Sequence, residues 1–385
     1  MTGNTPSSIH PPLPPTTEED RFAWLRLLRC RRVGISTFHR LMAEHGTAQN
    51  ALMALPEVAR AAGLDAYEIC PPGVIEAELK AARAAKARLL CLGSAEYPRQ
   101  LAELSDAPPM LWAVGDASLM HRPVLAVVGA RNASSLGMRM ARALARDLGE
   151  AGFVIASGLA RGIDTAAHGA SLQTGTIAVQ AGGVDVMYPA ENTSLAHGIG
   201  KNGLRLSEQP MGLAPMARHF PCRNRLISGL ARAVIVVEAA SRSGSLITAQ
   251  DALDQGREVL AVPGHPFDAR AGGCNALIRD GARLVRSADD VIEAIGAAQE
   301  QPPLPGLPEP EPATSTPPKD RRSRQDTITL HQQILSQLGP SPVAEDAIIR
   351  DLGLNAQIVS PALVDLELDG QVQRHSGGLL SRVIN

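Results

Sequence analysis

One stretch of the chain combines residue types that are suited to binding anions. In order it carries Phe220, Arg223, Arg225, an apolar run at 233–238 and Ser243-Gly244-Ser245. A guanidinium group pairs with phosphate oxygens in a two-pronged geometry, and a Ser/Gly loop that opens a helix presents unpaired backbone N–H groups to the same charge. We therefore expect a phosphate-bearing ligand at this stretch. The alternative is that Phe220 packs in a core and both arginines are simply solvated.

The elements that would position these residues follow from the rhythm of the chain between residue 124 and about 298. Apolar runs alternate there with amphipathic segments, and the runs lie at 124–128, 153–156, 176–180, 203–207, 233–238, 258–262 and 283–286. Such alternation predicts an α/β fold with a mostly parallel sheet flanked by helices. Folds of this kind bind their ligands at the carboxyl ends of the strands.

The loops at those strand ends share small residues and arginines. The first run is followed by Gly129-Ala130-Arg131-Asn132, and the second by Ser157-Gly158-Leu159-Ala160-Arg161. Small residues let a ligand approach the backbone closely. We expect five arginines to lie on strand-end loops at the ligand-binding edge: Arg131, Arg161, Arg223, Arg225 and Arg242.

Two familiar nucleotide-binding motifs are excluded by spacing. A dinucleotide fold needs Gly-x-Gly-x-x-Gly after its first strand, whereas this chain has Gly-Ala-Arg-Asn-Ala-Ser from Gly129. A P-loop needs a glycine five residues before Gly-Lys, but Leu195 stands there ahead of Gly200-Lys201. We therefore expect neither a nicotinamide cofactor nor ATP, and no cofactor of another kind is indicated.

Candidate catalytic groups are few. His168 and His265 could each serve as a general base, but neither has a nucleophile or carboxylate at a recognisable spacing. We expect Asp164, in the first turn of a helix, to cap that helix and orient the Ser-Gly loop. Glu238 is the one carboxylate that we keep as a candidate functional group. The favoured alternative is that it packs against loop amides. No catalytic residue and no metal site are predicted.

Composition indicates a soluble globular protein of two or three domains, since 385 residues include 44% hydrophobic and 20% charged ones. A net charge of −2 means that any attraction to nucleic acid must come from a local patch. The five cysteines form no Cys-x-x-Cys pair, which predicts neither a disulfide framework nor a zinc site and fits a reducing compartment. Without a signal sequence or a long apolar run, we expect a cytoplasmic protein that does not contact the membrane.

The amino-terminal part divides into a tail and a helical domain. Prolines predict a disordered tail at 1–18, and helical spacing predicts a small helical domain at 19–84. Arg32-Val33-Gly34-Ile35-Ser36 is similar to the turn of a helix–hairpin–helix (HHH) motif, but its single glycine favours a tight interhelical turn over DNA contact. The sheet domain is expected at 85–298, entered through an extended lead-in strand.

The carboxyl-terminal part reads as a linker and a winged helix. Prolines crowd residues 299–324, which predicts a semi-extended linker. Helices at about 327–338, 343–351 and 355–368 followed by a hairpin predict a winged-helix domain at 325–385. Its third helix carries Asp365, Glu367 and Asp369 but no Lys or Arg, so protein–protein contact is favoured over sequence-specific duplex binding.

Taken together, the motifs resemble those of the DNA-processing protein A (DprA/Smf) family over most of the chain. The similar segments are Val128–Arg131, Ser157–Asp164, Tyr188-Pro189, Ser207-Glu208, Phe220–Leu230, Ser243–Ala249 and Val262–Gly264. The resemblance implies an extended Rossmann-like domain that binds single-stranded DNA in natural transformation. It further implies that the protein protects incoming DNA, forms a homodimer, at about residues 255–298, and helps to load the RecA recombinase.

Carried over by residue, the resemblance implies a DNA site made from four loops. Its members are Gly129, Arg131, Ser157, Gly158, Arg161, Phe220, Arg223, Asn224, Arg225, Ser243, Gly244 and Ser245. Aromatic residues make up only 3% of the chain, so we expect stacking on about one base.

Two alternative hypotheses assign the chain to a different class of protein, an enzyme or a structural adaptor. The chain could be a nucleotide-processing enzyme similar to the phosphoribohydrolases, which carry a Pro-Gly-Gly-x-Gly-Thr loop followed by Glu. The comparable segment here, Ser243–Ala249, has no Glu after it, and this favours binding without turnover. A structural adaptor whose sheet domain binds nothing is the third reading, and a test for DNA binding separates it from the first.

Overall fold

The computed structural model describes residues 14–64, 66–299, 324–339, 343–352, 359, 362–363, 366–367, 371–375 and 379–382. The chain divides into two compact units, Met1–Leu304 and Pro305–Asn385. Most of the predicted tail and nearly all of the predicted linker lie outside the described residues. Within the described residues, no helix has the length and apolar character needed to cross a membrane.

Four helices begin the first unit: α1 (Glu18–Arg29), α2 (Ile35–His45), α3 (Ala48–Ala61) and α4 (Pro72–Ala84). Helix α1 starts with a capping box, because Asp20 N–H donates to Thr17 Oγ1 at 3.1 Å and Thr17 N–H donates to Asp20 Oδ2 at 3.2 Å. In the tight turn between α1 and α2, Arg32 has a φ of 61°. The apolar faces meet in a core where Trp24 and Phe38 pack edge to face.

A nine-stranded sheet forms the rest of this unit. Its strands are β1 (Arg88–Cys91), β2 (Met110–Gly115), β3 (Val124–Val128), β4 (Val154–Ser157), β5 (Thr176–Val179), β6 (Leu204–Ser207), β7 (Ala233–Val236), β8 (Glu258–Ala261) and β9 (Arg283–Leu284). The helices among them are α5 (Arg99–Ala102), α6 (Ser135–Glu150), α7 (Ile163–Ser171), α8 (Thr193–Asn202), α9 (His219–Leu230), α10 (Ser245–Asp254), α11 (Gly272–Arg279) and α12 (Ala288–Gln299).

The strand order is β1-β2-β6-β5-β4-β3-β7-β8-β9, and the strands from β6 to β9 are parallel. The predicted mostly parallel sheet flanked by helices is confirmed. The lead-in differs from the prediction: instead of one strand, β1 and β2 form an antiparallel pair, and β2 joins the sheet at β6. Helix α5 and the turn around Tyr97 separate the two strands.

The chain reverses its direction of travel across the sheet at β3. It runs from β3 through β4 and β5 to β6 on one side and returns to the other side of β3 for β7, β8 and β9. Loops on the two sides of such a reversal part at the carboxyl ends of the strands and leave a crevice. The predicted ligand edge therefore has its opening beside the loops that follow β3 and β7.

The first helices and the sheet share one hydrophobic cluster. At their junction Glu78 of α4 is buried and accepts hydrogen bonds from Arg29 Nη2 at 2.7 Å and Arg29 Nε at 2.8 Å. The same carboxylate accepts a bond from Trp112 Nε1 at 2.9 Å. This satisfied buried ion pair links α1, α4 and β2.

The second unit has winged-helix elements, as the sequence predicts. They are α13 (Arg324–Gln337), β10 (Val343–Ala344), α14 (Glu345–Leu352), β11 (Val372–His375) and β12 (Leu379–Arg382), with the strands ordered β10-β12-β11. The second predicted helix begins later than expected, because residues 343–344 pair with β12. Of the third predicted helix, residues 359, 362–363 and 366–367 are described and helical, and Asp365 and Asp369 lie outside the described residues.

Candidate nucleic-acid interface

Loops from neighbouring strands and the start of α9 line two adjacent cavities at the carboxyl edge of the sheet. The inner pocket is lined mainly by residues 158–161, 180–182, 186, 188–189 and 215. The outer groove is lined mainly by residues 128–132, 224, 242–245, 248 and 270. Four residues line both cavities: Arg131, Ala160, Phe220 and Arg223.

A stacked pair, Arg131 and Phe220, separates the inner pocket from the outer groove. The guanidinium carbon of Arg131 lies 4.8 Å from the centroid of the Phe220 ring. The ring centroids of Tyr188 and Phe220 lie 5.9 Å apart at an angle of 50°, and Tyr188 is exposed. A cation–π contact is attractive, and because Arg131 is exposed its N–H groups remain available to an anion. The wall thus offers aromatic surface and positive charge side by side.

The segment from Phe220 to Leu230 forms most of helix α9, and this corrects one expectation. Arg223 and Arg225 lie within α9 and not on a strand-end loop. Pro221 is compatible with that helix because it falls in the first turn, where its missing N–H would have no partner. At 100° per residue, Phe220, Arg223 and Asn224 share the face that lines the site, whereas Arg225 is turned about 200° away from Arg223.

Arg223 forms part of the floor of both cavities. Its side chain is buried, and Nη1 donates to the Val179 carbonyl at 2.9 Å. Burial lowers the pKa of its guanidinium to about 10, and the carboxylate of Asp164 acts in the opposite direction. The group therefore keeps its positive charge at neutral pH beneath the ligand surface. Gly158 leaves room for it, since a Cβ at Gly158 would lie 1.7 Å from Arg223 Nη1.

Arg225 is held by acidic partners away from both cavities. Nη1 donates to the Asp106 carbonyl at 2.9 Å, and Nε lies 3.3 Å from the carboxylate of the same residue. Nη2 forms an ion pair with Glu208. Ser157 is also outside the lining, because its buried hydroxyl donates to the Val127 carbonyl at 2.7 Å. The structure brings the other ten predicted site residues to the two cavities.

The loop after β4 is fixed by Asp164 and His168 from helix α7. Asp164 Oδ2 accepts from Gly158 N–H at 3.1 Å and from Ala160 N–H at 3.2 Å. The prediction that Asp164 orients the Ser-Gly loop is confirmed, but the expected side-chain cap on α7 is not formed, because the carboxylate accepts from loop amides instead. Burial raises the pKa of this carboxyl, while Arg223 acts to lower it. The loop needs this support because Leu159 has a φ of 56°, a conformation that costs a non-glycine residue energy.

His168 supports this loop from helix α7 and is not an exposed base. Its Nε2 accepts from Leu159 N–H at 3.3 Å, and its Nδ1 lies 2.7 Å from Thr176 Oγ1. Burial, and then the charge of Arg223, lower the pKa of the imidazole to about 3. A neutral ring with its proton on Nδ1 satisfies both contacts.

Glu238 joins the end of β7 to the start of α6. Its Oε2 accepts from Ser134 N–H at 2.8 Å, and Oε1 accepts from the Ser134 hydroxyl. Ser134 Oγ in turn accepts from Gly137 N–H at 2.9 Å and caps α6. The favoured alternative for Glu238, packing against loop amides, is confirmed.

The loop after β7 presents its backbone to the outer groove. Ser243 and Gly244 precede α10, and Ser245 is its first residue, so the predicted loop that starts a helix is confirmed. Ser243 Oγ lies 2.7 Å from Ser245 Oγ, and the Gly244 carbonyl accepts from Asn224 Nδ2 at 3.3 Å. Arg242 is exposed beside them.

The sequence matches a family model described as DNA recombination-mediator protein A over residues 88–296, more than half of the chain. The protein belongs to this family. A model of the DprA-like N-terminal HHH domain matches residues 18–81, and one of the DprA winged helix domain matches residues 309–378.

Two relatives in the DNA recombination-mediator protein A family show the extent of the similarity. DNA processing protein DprA of Streptococcus pneumoniae is 49% identical over 198 residues, which cover 51% of this chain and 70% of that protein. Protein Smf of Escherichia coli is 38% identical over 286 residues, which cover 73% of this chain and 74% of that protein.

Two solved structures of family members are also similar. The X-ray structure of DprA from Streptococcus pneumoniae gives a TM-score of 0.60 at 36% identity and covers 72% of this chain and 97% of that one. DNA processing protein A from Helicobacter pylori, studied for its unique single-stranded DNA binding mode, gives a TM-score of 0.51 at 29% identity. It covers 55% of this chain and 97% of that one.

The site predicted from the sequence lacked several residues that line the cavities, among them the polar residues Tyr188, Gln180 and Arg270. Tyr188 carried a signal, since the Tyr188-Pro189 segment is part of the family resemblance. Arg270 follows the Val262–Gly264 segment and reaches the outer groove because the loop after β8 lies against the loop after β7, where Gly273 N–H donates to the Ala239 carbonyl at 2.7 Å. Gln180 follows β5 directly, at the same edge as the other loops.

Proposed function

We propose that this protein binds single-stranded DNA along the inner pocket and the outer groove. The observation that carries the proposal is the Arg131–Phe220 contact, which places a guanidinium group and an aromatic ring together between the two cavities. Single-stranded nucleic acid is recognised by this combination, because bases stack on rings while the backbone follows positive charge. The Helicobacter pylori relative, described by its single-stranded DNA binding mode, supports the proposal.

Exposed arginines and loop amides serve the phosphates in this proposal. Arg131, Arg161 and Arg242 have exposed side chains at the cavities. The amide groups of Ser243, Gly244 and Ser245 open α10 and add positive potential. Arg223 supplies a fixed charge from below the surface, and Arg225 holds α9 in place through Glu208 and Asp106.

Base recognition falls to the two rings, Phe220 and Tyr188. Their faces are accessible only to bases that have left a duplex stack, which favours a single strand over a double helix. Two adjacent rings extend the expectation of one stacked base that composition alone suggested. With a net charge of −2, the chain concentrates its attraction for DNA at this edge.

The site is proposed to bind DNA without turnover. The carboxylates of Asp164 and Glu238 are engaged by loop N–H groups, and the low pKa of His168 leaves the buried imidazole neutral. A general base needs reach to a substrate proton and a suitable pKa, and His168 has neither. A base-release assay with nucleoside monophosphates tests the alternative, a phosphoribohydrolase-like enzyme. Release of free base would contradict the binding proposal.

The biological role is proposed from family membership. The protein would act in natural transformation, protect incoming single strands and help to load the RecA recombinase. A homodimer through about residues 255–298 is proposed as well, supported by the exposed apolar side chains of Leu284 and Ile292 in that range. Sedimentation gives the oligomeric state, and a pull-down with purified RecA, with and without single-stranded DNA, tests the second partner.

Fluorescence anisotropy with labelled oligo-dT and with a duplex of the same length tests the central proposal. Wild-type protein should prefer the single strand, and Arg131→Ala should weaken that complex with the fold intact. Equal affinity for both forms would contradict the preference for a single strand. Unchanged binding by a folded Arg131→Ala protein would show that the site lies elsewhere. An inert adaptor predicts no binding at low salt.

A further inference from the structure

A third cavity, distinct from the two described, runs between α6 and α7. We call it the α6–α7 groove; Arg142 of α6 and Gly162, Ala166 and Gly169 beside or within α7 contribute to its lining. Arg161 belongs both to this groove and to the inner pocket. The groove therefore begins where the proposed DNA site ends.

The charge of this groove is positive and largely uncompensated. Its described lining contains Arg142 and Arg161 and no acidic residue. Ser135, Arg139, Arg142 and Arg146 follow one another at intervals of four, three and four residues and so lie along one face of α6.

Two of the arginines on this face have no acidic neighbour that engages them. Arg139 and Arg142 are exposed and form no ion pair or side-chain hydrogen bond with any described residue. Arg146, by contrast, lies 2.8 Å from the carboxylate of Asp147. Arg161 is 3.8 Å from Glu191 with both side chains more than 60% exposed, and such a surface pair contributes little and yields readily to a phosphate.

Gly169, which contributes to the lining, is exposed and places no side chain in the groove. A Cβ placed on Gly169 would meet no atom within 4 Å. Solvated arginines on a convex helix would present no such channel beside them. The groove is positively charged and continues from the inner pocket through Arg161. These features fit the extended, negatively charged backbone of the DNA strand proposed above.

We infer that the α6–α7 groove carries the sugar–phosphate backbone of the bound single strand beyond the inner pocket. Arg161 bridges the two segments, and Arg142 of the lining pairs with the next phosphate. Arg139, outside the lining but one turn away on the same face of α6, pairs with a neighbouring one. The inference rests on the proposed function and extends its footprint from the strand ends onto the helical face. Contacts here are to backbone alone, so they are independent of base sequence.

A series of oligo-dT lengths tests this footprint. On the shortest oligonucleotide that wild type binds, the Arg139→Ala/Arg142→Ala protein should keep wild-type affinity at about physiological salt, where screening over roughly 8 Å mutes distant charge. On long oligonucleotides it should bind more weakly. Its slope of log K against log salt should also be flatter by about 1.4, which is about 0.7 for each lost phosphate contact.

Two matched variants separate the possible failures. Arg146→Ala, on the same face but engaged by Asp147, should leave binding unchanged at every length. Arg131→Ala should weaken binding at every length, and if it does not, the proposed function itself fails. If Arg131→Ala weakens binding while the double variant matches wild type on long oligonucleotides, only the groove inference is overturned. Equal loss by the double variant at all lengths would also overturn it, since the arginines would then act on the main site.

Discussion

The guanidinium of Arg223 lies directly against Gly158, where a Cβ would come within 1.7 Å of Nη1. This contact helps to position the Arg223 guanidinium in the lining of the cavities, because Arg223 also donates a hydrogen bond to the Val179 carbonyl. The packing of Gly158 and the position of Arg223 therefore depend on each other. The need for glycine at 158 comes from α9 and not from the conformation of its own loop.

Gly158→Ala should displace Arg223 and weaken both stability and DNA binding. Overpacking at a buried site costs typically 1–3 kcal/mol, and the displaced guanidinium would lose its hydrogen bond. Denaturant unfolding measures the first effect and oligo-dT titration the second. Gly296→Ala is the control, since a Cβ there meets nothing within 4 Å. A Gly158→Ala protein as stable as that control would contradict the contact.

His168 should make stability depend on pH. Its folded pKa is about 3 against an ordinary value of 6.5, so below pH 6.5 the unfolded chain binds a proton that the folded chain refuses. The free energy of unfolding should fall by up to about 1.4 kcal/mol per pH unit as pH drops from 6.5 toward 3.

Comparing wild type with His168→Asn isolates this contribution from those of other groups. The variant should be less stable at neutral pH, because it loses the imidazole contacts to Leu159 and Thr176. The stability difference between the two proteins should narrow as pH falls through the window. A difference that stays constant from pH 7 to pH 4 would mean that His168 does not stay neutral in the folded protein.

The sequence predicted the strands of the sheet well because buried parallel strands are continuous apolar runs with small residues after them. The run at 124–128 coincides with β3, and most of the others lie within a residue or two of their strands. The small-residue loops after β3, β4 and β7 were predicted for the same reason. The edge of the candidate site thus follows from local pattern.

What the sequence could not supply is the direction of each side chain. Arg223 and Arg225 look equivalent in an extended reading, but a helix places them on opposite faces. The partners of Arg225, Asp106 and Glu208, come from distant parts of the chain. The same holds for Arg131 over Phe220, which only the packing of the loop after β3 against α9 brings together.

Deleting residues 325–385 should leave single-strand affinity nearly unchanged. The two cavities are lined entirely by residues of the first unit. The third predicted helix of the winged helix carries no Lys or Arg to add phosphate contacts. Titration with oligo-dT checks the affinity, and sedimentation of the same protein should still report a dimer. A large loss of affinity would assign a DNA contact to the winged helix.

Phe220→Ala and Tyr188→Ala should weaken binding at every salt concentration. Loss of a stacking ring costs roughly 1–3 kcal/mol per base, and the salt slope is unchanged because no phosphate contact is lost. Phe220→Ala should have the larger effect, since it also removes the ring that Arg131 contacts, while the charge of Arg131 stays in the site. Phe220→Tyr keeps a ring and serves as the control. If Tyr188→Ala binds like wild type, only Phe220 stacks.

Arg131→Ala should affect DNA binding and Arg225→Ala should affect stability, although both remove an arginine from a predicted DNA contact. Arg131 is exposed at the wall between the cavities, so its loss should flatten the slope of log K against log salt by about 0.7 and leave the melting temperature unchanged. Arg225 pairs with Glu208, and the two side chains are only 13% and 12% exposed. Its loss leaves that carboxylate unpaired and should cost roughly 3–5 kcal/mol of stability.

The pH dependence of the Arg225→Ala protein gives a second readout. Burial raises the pKa of Glu208 and Arg225 opposes that rise, so without the arginine the carboxyl should take up a proton at higher pH than in wild type. When the pKa of a carboxyl is higher in the folded protein than in the unfolded chain, the free energy of unfolding rises as pH falls. Part of the lost stability should therefore return on mild acidification, as measured by thermal unfolding. If Arg225→Ala instead kept wild-type stability and lost 0.7 of the salt slope, Arg225 would be a phosphate contact after all.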